Sequence, residues 1–179
     1  KELINQKPEP VLGLATGSTP ISLYKQLVEL HQADQLSFSR VTTFNLDEYH
    51  QIDPANPQSY RSFMAENLFN HVDIDVNNTF LPTCAEGENP RAQGLAYEDK
   101  ISEAGGIDLQ ILGIGGNGHI GFNESGSLQN SKTRLVALDH ITRVAASKDF
   151  SGLNNTPRTA ITLGVKKIME AKRVILMAW

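Results

Sequence analysis

Two kinds of hydrophobic pattern alternate along the chain. Short apolar runs rich in β-branched residues, such as residues 109–114 (LQILGI), predict strands that are buried on both faces. Between them, apolar residues recur every three or four positions, which is typical of helices with one buried face. The predicted strands comprise residues 11–15, 41–46, 80–81, 109–114, 134–138, 159–163 and 174–178. The predicted helices comprise a segment that begins at Pro20 after a Thr19 cap, a second that begins at Ser59, and residues 93–104, 142–150 and 165–171.

This alternation predicts an α/β fold, namely a doubly wound, mainly parallel sheet with helices on both faces. With 179 residues, about 40% of them apolar, the chain suits one domain with a sizeable core. Residues 1–6 resemble the end of a helix, and residues 174–179 stop within a strand. We therefore expect a single domain over residues 1–179 that is incomplete at both ends.

Composition and charge argue against several classes of partner. The net charge is −4 and no run of basic residues occurs, which argues against nucleic acid. No apolar run approaches the ~20 residues of a membrane span, and the first residues lack the apolar core of a signal peptide. A single cysteine, Cys84, excludes an internal disulfide and favours a reducing compartment, so we expect a cytoplasmic protein.

The loop that follows residues 109–114 carries the strongest candidate chemistry. Its repeated glycines let the backbone approach a ligand closely. His119 and Glu124 lie in this loop, with Asn117 beside them. An imidazole exchanges protons near neutral pH, and a nearby carboxylate can orient it. A turn that merely contains a histidine is the alternative, but the combination of His, Glu and a glycine-rich loop after a buried strand favours function.

The same loop contains the pattern GxGxxG, formed by Gly113, Gly115 and Gly118, which occurs in dinucleotide-binding folds. In those folds a helix begins at the third glycine and its N-terminus binds the pyrophosphate. Here the sequence HIGFNESGSLQNSKTR follows, in which glycine, asparagine and serine interrupt any helical stripe. We therefore reject a nucleotide site at this loop.

Two further loops follow predicted parallel strands. The loop after the first strand consists of Thr16, Gly17, Ser18 and Thr19. It precedes a helix, so it could bind an anion such as phosphate or could simply form a capped turn. Asp47 and Glu48 follow the second strand, where a carboxylate could face a ligand or could cap a helix. Because the carboxyl ends of parallel strands share one edge of a sheet, we expect these loops to meet the loop of His119.

Four motifs together resemble those of the glucosamine-6-phosphate deaminases, also called isomerases: ATGSTP, FNLDEY, SYRSFM and GIGGNGHIGFNE. The resemblance extends over residues 11–179, and the pair FNLDEY and NGHIGFNE is specific to that family. It implies a Rossmann-like α/β fold and conversion of glucosamine 6-phosphate and water to fructose 6-phosphate and ammonia, in amino-sugar catabolism. It also implies that the ligand is a small sugar phosphate and that the reaction needs neither a metal nor an organic cofactor. A homo-oligomer is possible.

The same resemblance assigns roles to individual residues. Asp47 is expected to move a proton between C2 and C1 through an enolamine, and His119 to open the sugar ring. Glu124 is expected to orient the imidazole, and Asn117 belongs to the same catalytic group. The residues expected to hold the phosphate are Thr16, Gly17, Ser18, Thr19 and Lys148.

Several features depart from the family pattern. Asn117 stands where many members have an aspartate, and an amide cannot stabilise a charged imidazole as a carboxylate does. Lys148 stands where an arginine is expected, so the positive charge is kept but the bidentate fork is lost. A further phosphate-binding lysine is expected a few residues beyond Trp179.

Other functions remain open on the same fold. A 6-phosphogluconolactonase shares the fold and the phosphate loop, but the FNLDEY and FNE motifs argue against it. A sugar-phosphate sensor needs only the phosphate cradle, so the presence of Asp47, His119 and Glu124 together argues against a sensor. A degenerate, deaminase-like domain is the third alternative, because of Asn117 and Lys148.

Overall fold

The computed structural model describes residues 1–178. Its strands are β1 (Val11–Leu14), β2 (Thr42–Asn45), β3 (Asp47–Tyr49), β4 (Thr79–Phe80), β5 (Leu109–Gly113), β6 (Arg134–Ala137), β7 (Thr159–Thr162) and β8 (Val174–Met177). Its α-helices are α1 (Glu2–Gln6), α2 (Ile21–Gln32), α3 (Tyr60–Asn67), α4 (Pro90–Glu103), α5 (His140–Ala146) and α6 (Val165–Met169). Every predicted strand and helix is present within a few residues of its predicted bounds. The last residue of the predicted domain, Trp179, lies outside the described residues.

Five parallel strands form the main sheet, in the order β4-β2-β1-β5-β8. The register pairs Leu14 of β1 with Asn45 of β2, and Gly13 of β1 with Gln110 of β5. The predicted doubly wound, Rossmann-like parallel sheet is thereby confirmed. Because β1, β2 and β5 are neighbours, the loops that follow them leave the same edge of the sheet.

Helices cover both faces of this sheet, as the sequence predicts. Successive residues of β1 point to opposite faces, so that Val11 packs in one core cluster and Leu12 in the other. Helices α4 and α6 contribute to the first cluster, and α1, α2 and α3 to the second. None of the helices within residues 1–178 combines the length and the hydropathy required to cross a membrane.

A second sheet, which the sequence analysis did not predict, consists of three antiparallel strands in the order β3-β7-β6. Asp47 pairs with Thr162 and Tyr49 pairs with Ala160. The expectation that Asp47 begins a plain loop after β2 is therefore wrong, because these residues turn directly into a strand of the second sheet. The segment Asp-Glu-Tyr is too short and too acidic to indicate a strand, and its partner is distant in sequence.

Two local expectations at glycine-rich turns have different outcomes. Helix α2 begins at Ile21 rather than Pro20, no side chain caps its N-terminus, and Thr19 belongs to the preceding loop, so the predicted Thr19 cap is wrong. After Gly118 the chain forms turns and an isolated bridge between Ile120 and Asn123, with no helix. The helix that a dinucleotide-binding motif requires at its third glycine is therefore not formed at Gly118.

The opposite edge of the main sheet is held by a buried carboxylate, Asp108, which precedes β5 and is 3% exposed. It accepts hydrogen bonds from Lys7 Nζ at 2.6 Å, Lys172 Nζ at 2.8 Å and the Val11 backbone N–H at 2.8 Å. Burial alone would raise the pKa of this carboxyl, but the hydrogen bonds of the lysines and of the backbone bring it below its ordinary value. Asp108 thus ties the first strand to the segment that precedes β8.

Candidate active site

The three predicted loops meet at the carboxyl edge of the main sheet. An open cavity of about 610 Å³ lies there, and each loop contributes to its wall. A fourth side is formed by α5 and the residues after it. The predicted site residues that line the cavity are Thr16, Gly17, Ser18, Thr19, Asp47, His119 and Lys148. Asn117 and Glu124 contact His119 and do not themselves line the cavity.

Asp47 is 5% exposed although it belongs to the cavity wall. Burial, and to a lesser extent the negative charge of Glu48, raises the pKa of Asp47 to about 8, against the opposing effect of the Phe122 backbone N–H. A Cβ at Gly121, whose φ is +55°, would lie 3.0 Å from Asp47 Oδ2, so this close approach of the loop requires glycine. The carboxyl group of Asp47 can therefore exchange its proton near neutral pH.

Glu48 has the alternative role that the sequence left open for this pair of carboxylates, that of a helix cap. Its carboxylate accepts hydrogen bonds from the backbone N–H groups of Tyr60 at 2.9 Å and Arg61 at 3.0 Å, at the N-terminus of α3. A negative charge is favourable at this end of a helix. The two adjacent acids thus separate in function: Asp47 lines the cavity, and Glu48 orients the helix that borders it.

His119, Asn117 and Glu124 form one hydrogen-bonded chain. The distance from His119 Nδ1 to Asn117 Oδ1 is 2.6 Å, and Asn117 Nδ2 donates to Glu124 Oε2 at 2.8 Å. The same Glu124 oxygen lies 3.4 Å from His119 Nδ1. Asn117 therefore bridges His119 and Glu124 by hydrogen bonds, and these two groups also lie close to each other.

This arrangement determines which imidazole nitrogen carries the proton. Asn117 uses its amide N–H on Glu124, so its carbonyl oxygen is the acceptor that faces His119. His119 Nδ1 is then the donor, and Nε2 is left to accept a proton. The imidazole ring lies directly against Gly115, where an added Cβ would come 2.2 Å from the ring. Glycine at position 115 is thus a steric requirement for the ring position.

The loop Thr16–Thr19 lies between β1 and the N-terminus of α2. Gly17 has a φ of +93°, and the first turn of α2 has no side-chain cap. Backbone N–H groups at the start of a helix are suited to binding an anion. Lys148 lines the same cavity and is exposed. The structure therefore brings together the loop and the cation that the sequence analysis associated with phosphate.

Sequence reasoning missed an aromatic group in the cavity wall. Tyr60 and Met64 are four residues apart, a spacing typical of the core-facing stripe of a helix, yet Met64 is fully buried whereas Tyr60 lines the cavity. Its ring lies 5.0 Å from that of Tyr49 and 5.8 Å from that of Phe122. Helical spacing alone cannot separate these two positions, because side chains in the first turn of a helix can lie beyond the core and reach a neighbouring cavity.

The other missed residue is Thr142, on α5. Its hydroxyl donates to Glu124 Oε1 at 2.6 Å, and its side chain also lines the cavity. No motif links Thr142 to Glu124 in the sequence. Among residues 1–178, no cluster of three or more His, Cys, Asp or Glu side chains is arranged to hold a metal ion.

Comparison with known proteins identifies relatives of this chain. A glucosamine-6-phosphate deaminase of Colwellia psychrerythraea is 61% identical over 177 residues, which cover 99% of this chain and 66% of that protein. Glucosamine-6-phosphate deaminase 2 of Bacillus subtilis is 50% identical over 182 residues, with 99% and 72% covered. The chain thus spans about two thirds of the length of such relatives.

Solved structures show the same relationship. A monomeric glucosamine-6-phosphate deaminase superposes with a TM-score of 0.93 at 41% identity, covering 98% of this chain and 72% of that one. A 6-phosphogluconolactonase from Thermotoga maritima has a TM-score of 0.69 at 22% identity, covering 98% and 72%, which shows a shared fold alone. The family model described as glucosamine-6-phosphate isomerases/6-phosphogluconolactonase matches residues 1–179. The chain therefore belongs to the family of glucosamine-6-phosphate isomerases and 6-phosphogluconolactonases.

Proposed function

We propose that this chain carries the active site of a glucosamine-6-phosphate deaminase, which converts glucosamine 6-phosphate and water to fructose 6-phosphate and ammonia. The observation that supports this proposal most directly is that a buried carboxyl, Asp47, and an oriented imidazole, His119, line the same cavity as the loop Thr16–Thr19. Proton transfer between neighbouring carbons needs a carboxylate and an acid/base group on a substrate whose position is fixed. The relatives named as deaminases support the same choice.

In the first proposed step, His119 opens the sugar ring. Nδ1 is occupied by Asn117, so Nε2 is the atom that takes and returns a proton. The proton leaves the C1 hydroxyl, the ring oxygen gains one, and the C1–O5 bond breaks to give the open-chain aldehyde. Glu124 and Asn117 hold the imidazole in the tautomer that this exchange requires.

In the second proposed step, Asp47 removes the proton from C2 while the aldehyde oxygen gains a proton given up by the substrate ammonium group. The resulting enolamine then takes the proton of Asp47 at C1. Water then adds to the imine at C2, and ammonia leaves as the ketone forms. Asp47 must be ionised to act as the base, whereas its pKa in the free site is about 8. The ammonium group of the substrate favours the ionised carboxylate, because an opposite charge nearby lowers the pKa of an acid.

The phosphate is proposed to lie at the loop Thr16–Thr19. Hydroxyl groups and the N-terminus of α2 supply neutral donors there, and Lys148 supplies a positive charge. The phosphate would thereby anchor the far end of the sugar while C1 and C2 lie between His119 and Asp47. We further propose that the enzyme acts in the cytoplasm, in keeping with its single, free Cys84. A homo-oligomer remains a prediction to be tested by light scattering.

The deciding experiment measures ammonia release from glucosamine 6-phosphate by the full-length protein. Asp47→Asn should lower turnover at least ~10²-fold, whereas Asp34→Asn, at an exposed position remote from the cavity wall, should leave it unchanged. Hydrolysis of 6-phosphogluconolactone without ammonia release would identify a lactonase instead. Binding of sugar phosphate without either reaction would identify a sensor or a degenerate domain, and would refute the proposed activity.

A further inference from the structure

The two oxygens of the Glu124 carboxylate have different partners. Oε2 accepts the amide N–H of Asn117 at 2.8 Å and lies 3.4 Å from His119 Nδ1. Oε1 accepts the hydroxyl of Thr142 at 2.6 Å and the backbone N–H of Asp139 at 3.3 Å. One oxygen therefore belongs to the imidazole chain, and the other is attached to the start of α5.

We propose that Thr142 is a positioning residue for the imidazole, acting through Glu124 and Asn117. This inference rests on the proposed deaminase function, because it concerns how His119 is kept ready to exchange protons. Thr142 does not need to touch the reacting atoms for this role. Its hydroxyl fixes the plane of the Glu124 carboxylate, and that plane determines where Asn117 points its carbonyl oxygen.

The hydrogen bonds of Glu124 and Asn117 explain why a single hydroxyl has this effect. Without Thr142, Glu124 Oε1 would keep only the longer bond of 3.3 Å to the Asp139 backbone, and the carboxylate could rotate about its last torsion. The Asn117 amide nitrogen donates to Glu124, and its carbonyl oxygen accepts from His119 Nδ1 and, at 3.4 Å, from the His119 backbone N–H. If the bond to Glu124 is lost, only the long contact with the backbone N–H opposes a flip of the amide, and the imidazole proton is then no longer fixed on Nδ1.

The position of Thr142 also connects the imidazole to the part of the cavity wall that α5 forms. The segment that carries it lines the cavity through Thr142, Ala145, Ala146 and Lys148. These residues belong to α5 and the turn directly after it. A ligand phosphate held by Lys148 would restrain this segment, and Thr142 would transmit the restraint to Glu124. Binding at one end of the substrate would thus favour the productive imidazole at the other end.

The test compares Thr142→Val with Thr142→Ser. Valine keeps the branched shape of threonine and removes the hydroxyl, whereas serine keeps the hydroxyl and removes the methyl group. We expect kcat to fall roughly ten- to hundred-fold in Thr142→Val, as for loss of a hydrogen bond to a charged group, with KM changed much less. Thr142→Ser should recover most of the activity. Equal activity in the valine variant and the unchanged enzyme, or failure of serine to restore it, would overturn the proposal.

A second measurement does not depend on the enzyme being a deaminase. In the free protein, the ¹⁵N chemical shifts of the His119 ring report which of its two nitrogens carries the proton. We expect Nδ1–H in the unchanged protein and in Thr142→Ser, and a mixture of the two tautomers in Thr142→Val. Unchanged ring shifts in the valine variant would overturn the proposal even if ammonia release were confirmed. Should valine prevent folding, Thr142→Ala compared with Thr142→Ser gives the same test.

Discussion

Asp47 should make folding stability depend on pH, and this effect can be measured without any substrate. The carboxyl has a pKa of about 8 in the folded protein against an ordinary value of 3.8. The folded state therefore retains a proton that the unfolded chain releases, over the range from about pH 4 to about pH 8. The stabilisation that results is complete below about pH 4, decreases steadily as the pH rises, and is fully lost above about pH 8. This difference in pKa changes the free energy of unfolding by about 6 kcal/mol between about pH 4 and about pH 8.

Asp47→Asn removes the titration while keeping the shape of the side chain. The free energy of unfolding of the variant, minus that of the unchanged protein, should rise by about 1.4 kcal/mol for each pH unit between about pH 5 and about pH 7. Urea unfolding at several pH values measures this difference directly. Asp34→Asn is the matched control, because Asp34 is exposed and asparagine also accepts its positive φ of 54°. Parallel stability curves for Asp47→Asn and the unchanged protein would refute the claim that burial keeps this carboxyl protonated.

Three further predictions follow from other parts of the structure. Glu48→Gln should move the acidic limb of the pH profile of kcat/KM to lower pH, because the charge of Glu48 contributes to the raised pKa of Asp47. An acidic limb at unchanged pH would contradict this contribution. Gly115→Ala should lower turnover at least ~10-fold, because its Cβ would displace the imidazole, and unchanged turnover would contradict this steric requirement. Asp108→Asn should lower the free energy of unfolding in urea by about 2–3 kcal/mol at neutral pH. This loss should become smaller as the pH falls through the lowered pKa of the Asp108 carboxyl. A loss that does not depend on pH would exclude the ion pairs with the two lysines as its cause.

The sequence predicts the parallel sheet and the edge where the cavity lies, because both depend on local patterns. Residues 109–114 are apolar apart from Gln110, and the glycine-rich loop after them marks the end of the strand. Once β1, β2 and β5 are parallel neighbours, their loops must meet, which is how Ser18, Asp47 and His119 come to line one cavity. This much follows from periodicity and the direction of strands.

The sequence could not predict contacts that join distant segments through one side chain. Thr142 lies on a short helix, and only the folded chain places its hydroxyl 2.6 Å from Glu124. Similarly, the position of Asn117 between His119 and Glu124 depends on the turn at positive φ of Gly118 and on the path of the loop after it. Sequence spacing alone is equally compatible with direct contact between His119 and Glu124.

The unpredicted second sheet has a direct consequence for the proposed base. The parallel sheet places Asp47 at the end of β2, but this position alone would leave a carboxylate at the rim in contact with water. Strand β3 pairs Asp47 with Thr162 of β7, and the Thr162 hydroxyl accepts the Phe122 backbone N–H at 3.1 Å. That contact draws the loop containing Gly121 over the carboxyl and removes it from solvent. Since desolvation is the main cause of the raised pKa, the proton affinity of Asp47 comes from the antiparallel sheet and its position from the parallel one.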